Sequence, residues 1–286
     1  MNAEALNTFW YWIRAREQVR LLKEKYPEGI EGGYSDDHIL NTYHFCNVRR
    51  EDDRGTKEIR DVVRHYFPVE EDDIASISCL PTIYLMARLF NHAPTLERIL
   101  LATDHGATIE ESFAQLKEYR DAGNKIFNPA YVVSTAGEAM DKIDYVLRLV
   151  LAAQRVIIPT DSLANAHAAL SSIPGLGGTG FLAGQVIADL RNDRYLVAAA
   201  AEKDWCCPGP GSMQGLDFLY EEKTTKRNFM GRITELYNDM PDDIWDMELH
   251  AQDLQNCLCE FAKYMRLSRQ TTAQKTFRRR YYKRGE

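Results

Sequence analysis

No run of about 18 apolar residues occurs in the chain, so no membrane-spanning helix is expected. The opening Met1-Asn2-Ala3-Glu4 has no basic stretch leading into an apolar one, and no secretory signal is expected. Cysteine is sparse: six in 286 residues, with Cys206 and Cys207 adjacent and Cys257 one residue from Cys259. Neither spacing is CxxC, so free thiols in a reducing cytoplasm are expected rather than a disulfide framework or a zinc or iron–sulfur site. The seven histidines form no HxxxH or HxE pattern, and no metal ligand set is expected. No internal repeat or low-complexity linker divides the chain. What is present, 45% hydrophobic and 27% charged residues, is globular and excludes wholesale disorder and fibrous classes.

Charge is unevenly placed. The net charge is −7, yet residues 268–286 hold Arg269, Lys275, Arg278, Arg279, Arg280, Lys283 and Arg284 against Glu286 alone. That basic tail carries +6 and leaves −13 on the rest. Such a distribution fits an arm that binds a polyanion, or a solvated terminus.

Helical periodicity dominates. Residues 4–25 space Leu6, Phe9, Trp10, Ile13, Val19 and Leu22 by helical turns. Asp36 or Asp37 caps an expected second helix running to about Arg49, and a third is expected from Thr56 to Tyr66, before an acidic loop at 70–73. Pro81 suits the first turn of a helix reaching Asn91, Thr95 starts a short helix, and Thr108 with Glu111 reads as a capped start. Residues 126–135 are ambiguous between strand and helix. Further helices are expected from Gly137 to about Gln154 and over 161–171, 179–191, 225–239 and 247–267. The fold class expected is all-α: a helical domain over 1–267, in one lobe or two, followed by the tail.

Ile173-Pro174-Gly175-Leu176-Gly177-Gly178 lies between two helical patterns and reads as a helix–hairpin–helix. Its glycines permit a tight turn, and bare amides at the start of the second helix would hold a DNA phosphate. A plain αα-turn is the other reading. Cys207-Pro208-Gly209-Pro210-Gly211-Ser212 reads as a loop whose amides form an anion nest, or as a structural loop.

Among polar residues, Asn47 and Arg54 would share one face of a continued helix, and Arg88 and Asn91 repeat the pairing of arginine with asparagine. Arginine suits bidentate phosphate recognition, and asparagine can read a base edge; surface ion pairs are the alternative. Gln185 and Asp189 share a helical face after the hairpin, as do Glu260 and Lys263 at i, i+3.

Taken in order, Phe9-Trp10 with Arg16-Glu17, the stretch from Tyr43 to Arg54, Arg88-Leu89-Phe90-Asn91, and Ala130-Tyr131 form one series. It continues with Pro174 to Asp189, Gly209-Pro210-Gly211 with Gly215, and Cys259-Glu260-Phe261-Ala262-Lys263-Tyr264. This series, spanning residues 6–267, resembles the α-glutamyl/putrescinyl thymine pyrophosphorylases, relatives of the helical domain of bacteriophage 5-hydroxymethyluracil DNA kinases. His44, Cys46 and Cys206-Cys207 depart from that pattern.

The resemblance implies a helix–hairpin–helix, DNA-glycosylase-like fold. The implied activity is a transferase that replaces the pyrophosphate of a pyrophosphorylated 5-hydroxymethyluracil in DNA with an amine. DNA and a small amine donor, an amino acid or a polyamine, would be its partners, with no membrane. For a phage-encoded protein the location would be the bacterial cytoplasm. No cofactor is implied, beyond Mg²⁺ that accompanies pyrophosphate. The chain contains no GxxxxGK[ST], which argues for the transferase over the kinase.

In the resulting assignment Arg49, Arg54 and Arg88 hold phosphates, and Asn47, Asn91 and Gln185 orient the base or amine. Asp189 or Glu260 accepts a proton, Lys263 binds beside it, and Gly175, Gly177, Gly209 and Gly211 contact the DNA backbone or pyrophosphate. Two alternatives remain: a glycosylase acting on a modified base, and a non-catalytic DNA-binding module.

Overall fold

A computed structural model describes residues 1–68, 74–128, 135, 137–176, 180–193, 195–196 and 198–269, with backbone alone at 74–76, 200 and 201. Among these residues there are thirteen α-helices and no strand, so the fold is all-α. The chain divides into two compact units. One is Met1–Asp53 together with the chain from Lys203 onward; the other is Arg54–Glu202.

The first unit begins with α1 (Ala3–Lys25), capped by the Asn2 side chain, which accepts from the Ala5 amide at 2.9 Å. Its buried face carries Phe9, Trp10, Trp12, Ile13, Arg16 and Val19, close to the expected stripe. Helix α2 (His38–Thr42) is capped by Asp37, which accepts from the amides of Ile39 and Leu40.

The expected continuation of α2 to Arg49 is not found. The backbone turns extended at Tyr43, with φ −104° and ψ 151°. The reason lies in the partners of the next residues. Arg16 binds the carbonyls of Phe45 and Cys46, and Glu260 takes the Cys46 amide. These side chains satisfy backbone groups that a helix would otherwise pair internally. Asn47 and Arg54 therefore do not share a helical face.

The second unit holds α3 (Arg54–Tyr66), α4 (Ile74–Phe90), α5 (Ala93–Asp104), α6 (Ile109–Asp121), α7 (Lys142–Ala153), α8 (Leu163–Ser171) and α9 (Phe181–Arg191). Pro81 lies inside α4 rather than in its first turn. An internal proline costs a helix about 3 kcal/mol. Here burial of Leu80, Tyr84, Leu85, Met86, Leu89 and Phe90 along the same helix opposes that cost. Thr108 and Glu111 form the expected capping box on α6. Helix α7 starts at Lys142, capped by Asp141, because Gly137 adopts φ +86°, outside the helical region. The 70–73 loop and most of the ambiguous 126–135 segment, Ala130-Tyr131 included, lie outside the described residues.

The chain then returns to the first unit with α10 (Pro210–Tyr220), α11 (Lys226–Asn238), α12 (Asp242–Trp245) and α13 (Ala251–Ser268). Helix α10 corrects the reading of this stretch as a glycine loop. Gly209 is its N-cap and Pro210 opens its first turn. Gly211 and Gly215, one turn apart, face α13. A Cβ on Gly215 would overlap the Leu258 carbonyl, and one on Gly211 would overlap the Cys259 side chain. The two helices thus approach to backbone contact. Phe9, Trp12, Ile13, Phe45, Leu216, Phe229, Leu254, Leu258 and Phe261 fill the core of this unit. No helix among the described residues is long and apolar enough to cross a membrane.

Candidate functional site

In the first unit, three separated segments of the series meet: Arg16 from α1, residues 45–53, and Glu260 with Lys263 from α13. The Arg16 side chain is 5% exposed. Its Nε donates to the Cys46 carbonyl at 2.9 Å, and its Nη2 donates to the Phe45 carbonyl at 3.0 Å and to the Asn47 side-chain oxygen. Its Nη1 is buried with no hydrogen-bond partner among the described residues. Asn47 is held in turn, its amide donating to Asp53 Oδ1 at 2.7 Å and its side chain to the Asp52 carbonyl at 2.8 Å.

Glu260 accepts the Cys46 amide on Oε2 at 3.2 Å, while Oε1 has no hydrogen bond among the described residues. Lys263 Nζ lies 3.9 Å from Oε2, donates to the His44 carbonyl, and sits 4.4 Å over the Phe45 ring. The Glu260 side chain is 16% exposed. Burial raises its carboxyl above the usual range; Lys263, the Cys46 amide and Arg16 pull the other way. Burial likewise raises Asp53 to about 6, against the Asn47 amide and Arg50. Two carboxyls that burial raises above the ordinary range stand within electrostatic reach of one another, a setting in which a carboxyl can take up a proton.

The second unit holds a different arrangement. Arg88, on α4, grips Asp189, on α9, through two bonds of 2.6 Å, and both side chains are about 5% exposed or less. Arg88 also donates to Thr56 Oγ1 at 3.1 Å and reaches Asn91 Oδ1 at 3.4 Å. Asn91 adopts φ +45°, directly after α4. One turn earlier on α4, Tyr84 donates to Asp193, just past the end of α9, at 2.5 Å, and burial raises the Tyr84 phenol. Both Asp189 oxygens face a buried guanidinium, an arrangement suited to joining α4 to α9.

The remaining sequence-predicted residues are placed as follows. Arg49 donates to the Met247 carbonyl in the first unit. Arg54 opens α3 with its side chain 91% exposed, 3.3 Å from Glu58. Gln185 is buried on α9. Gly175 has φ +92°, and its carbonyl accepts from Tyr145 at 2.9 Å, in the turn that joins α8 to α9. Gly177, with residues 178 and 179, lies outside the described residues. The Gly209 amide donates to Ser212 Oγ at 3.1 Å, so it is a capped helix start and not a bare nest. Sequence spacing does not single out Arg16 or Asp53 as site residues: Arg16 sits among the charges of an amphipathic helix and Asp53 in a run of charges, and Arg16 finds its partners on a separate segment. Among the described residues no group of three His, Cys, Asp or Glu is placed to hold a metal ion.

Residues 3–274 match the family described as the 5-hmdU DNA kinase helical domain. A 5-hmdU DNA kinase of Bacillus phage SP10 is 23% identical over 297 aligned positions, which cover 92% of this chain and 46% of that protein. The chain therefore spans about half the length of this relative. No solved structure matches the chain.

Proposed function

The chain belongs to the 5-hmdU DNA kinase helical-domain family, and from that premise we propose that it modifies 5-hydroxymethyluracil-type bases in DNA by exchanging pyrophosphate for an amine. The observation that carries the reading is Glu260, largely buried, whose Oε2 accepts the Cys46 amide while Oε1 has no hydrogen bond among the described residues. A neutral amine attacks the exocyclic CH₂ carbon, the bond from that carbon to the pyrophosphate oxygen breaks, and pyrophosphate leaves with the electron pair. The proton shed by the new C–N ammonium passes to Glu260 Oε1. Lys263 offers charge to the pyrophosphate, and Arg54, exposed on the second unit, offers charge to DNA phosphates. Gripped on both oxygens by Arg88, Asp189 serves the frame, and the base role falls to Glu260.

The target carbon lies on a stacked pyrimidine, so the base leaves the helix for the reaction, at about a few kcal/mol. The α8–α9 turn, read as a helix–hairpin–helix, would hold the DNA backbone meanwhile. Any Mg²⁺ travels with the pyrophosphate. A DNA substrate places the protein with that DNA, in the host cytoplasm for a phage product. The amine donor is an amino acid or polyamine.

The test supplies the full chain with duplex DNA carrying pyrophosphorylated 5-hydroxymethyluracil and a pool of amino acids and polyamines. Nucleoside mass spectrometry should show an amine adduct only when both are present. No adduct with any donor overturns the reading. Abasic product without an amine would instead support base excision, and binding without either product would support a DNA-binding module.

A further inference from the structure

One peptide group joins two of the buried charges in the first unit. The carbonyl of Phe45 accepts from Arg16 Nη2 at 3.0 Å, and the N–H of the same peptide, on Cys46, donates to Glu260 Oε2 at 3.2 Å. The next carbonyl, of Cys46, accepts from Arg16 Nε at 2.9 Å. Arg16 therefore grips the peptide on either side of Cys46, and a fork gripping two consecutive carbonyls leaves that segment little freedom to turn.

We infer that Arg16 is a positioning residue for Glu260, acting through the Phe45–Cys46 peptide to fix where the carboxylate stands and to favour its ionised form. Three physical effects support this. First, a carbonyl that accepts a charged donor polarises its peptide, so the opposite N–H becomes a stronger donor to the carboxylate. Second, Arg16 keeps its proton at every pH that proteins survive, so its charge is a constant part of the site. Third, Nη1 has no partner among the described residues, so the guanidinium's charge is incompletely spent on its own hydrogen bonds. The groups that act electrostatically on Glu260 or its immediate neighbours include Lys263, Arg266, Cys257 and Cys259 on α13, Arg16 on α1, and Cys46, Arg50 and Asp53 on the 43–53 segment. Of these, Arg16 alone touches both the geometry and the charge of Glu260's anchor.

The catalytic consequence rests on the transferase reading; the physical coupling does not. The test therefore uses two readouts on the full-length chain. Carboxyl carbons of glutamate are labelled with ¹³C, Glu260 is assigned by its loss in Glu260→Gln, and its titration is followed in the parent, Arg16→Lys and Arg16→Gln. In parallel, kcat and KM for amine transfer are measured against pH. In Arg16→Gln, Glu260 should titrate at higher pH, and the acid limb of kcat should move upward with it. That variant should lose about ten- to a hundredfold in kcat, the scale of a misplaced catalytic group, with KM little changed.

Arg16→Lys keeps the charge but cannot span both carbonyls and the Asn47 oxygen. It should restore most of the titration position and only part of kcat. Glu260 titrating as in the parent in folded Arg16→Gln overturns the inference. Should that variant not fold, parental titration together with parental kcat in Arg16→Lys overturns it. A shifted titration with no transfer by any variant, the parent included, sustains the coupling and removes the transferase reading instead.

Discussion

At the scale of single residues, the two units treat buried charge in opposite ways. Arg88 and Asp189 neutralise one another in bidentate geometry, so each is the other's solvation. Removing one leaves the other buried without its opposite charge. Asp189→Asn is expected to cost about 3–5 kcal/mol, and the double change Arg88→Met with Asp189→Leu much less, because no orphan charge remains. Urea denaturation of the three proteins checks this; a double variant as unstable as the single one would show that the pair contributes more than mutual neutralisation.

Asp53 is the contrasting case, a carboxyl that burial has raised to about 6. The unfolded chain would release that proton near the ordinary aspartate value of about 3.9. Between those values the folded state binds the proton more tightly, so stability falls as pH rises and the penalty is complete above the folded value. Asparagine imitates the protonated form at every pH. Asp53→Asn should therefore be more stable than the parent at pH 7, with the difference shrinking at about pH 4. A difference independent of pH would assign the effect to something other than this carboxyl.

At the scale of elements, the helices that periodicity marks are the ones with an uninterrupted apolar stripe. Helices α1 and α11 begin and end close to where periodicity puts them, and α6 starts at its expected cap. Two elements depart from their local reading because their partners come from far away in sequence. Tyr43–Arg49 looks helical until Arg16 and Glu260 claim its peptide groups. Pro210, Gly211 and Gly215 look like a loop until α13 is laid against them, when absence of side chains becomes the condition for contact.

That contrast predicts opposite results for the same substitution. Gly231, inside α11, has nothing near its missing Cβ, so Gly231→Ala should stabilise by about 0.5–1 kcal/mol through helix propensity. Gly215→Ala gains the same propensity but must part α10 from α13, and should destabilise by about 1–3 kcal/mol net. Thermal melts of both variants decide it; two shifts of the same sign would mean the α10–α13 contact yields easily.

At the scale of the whole molecule, what was legible was an order of segments; what was not was which residues in them meet. Glu260, Lys263 and Asn47 were readable because polar residues stood among aromatics. Arg16 and Asp53 were not, since their partners stand 29 to 31 and six positions away, respectively. Charge is the property of the entire chain that sequence does expose. The chain is acidic in total, so a polyanionic partner must be met by local cations, and 270–286 holds Lys275, Arg278, Arg279, Arg280, Lys283 and Arg284 against Glu286. If those cations contact phosphates, each contact releases counterions and contributes about 0.9 to the slope of log K against log salt. Changing Arg278, Arg279 and Arg280 to Gln together should flatten that slope by up to about 3 and weaken binding to any duplex, irrespective of sequence. The measurement is a salt titration of binding to unmodified duplex DNA by the parent and the triple variant. An unchanged slope would move the phosphate contacts off this segment and onto the helical units, where Arg54 and the turn between α8 and α9 are the next residues to change.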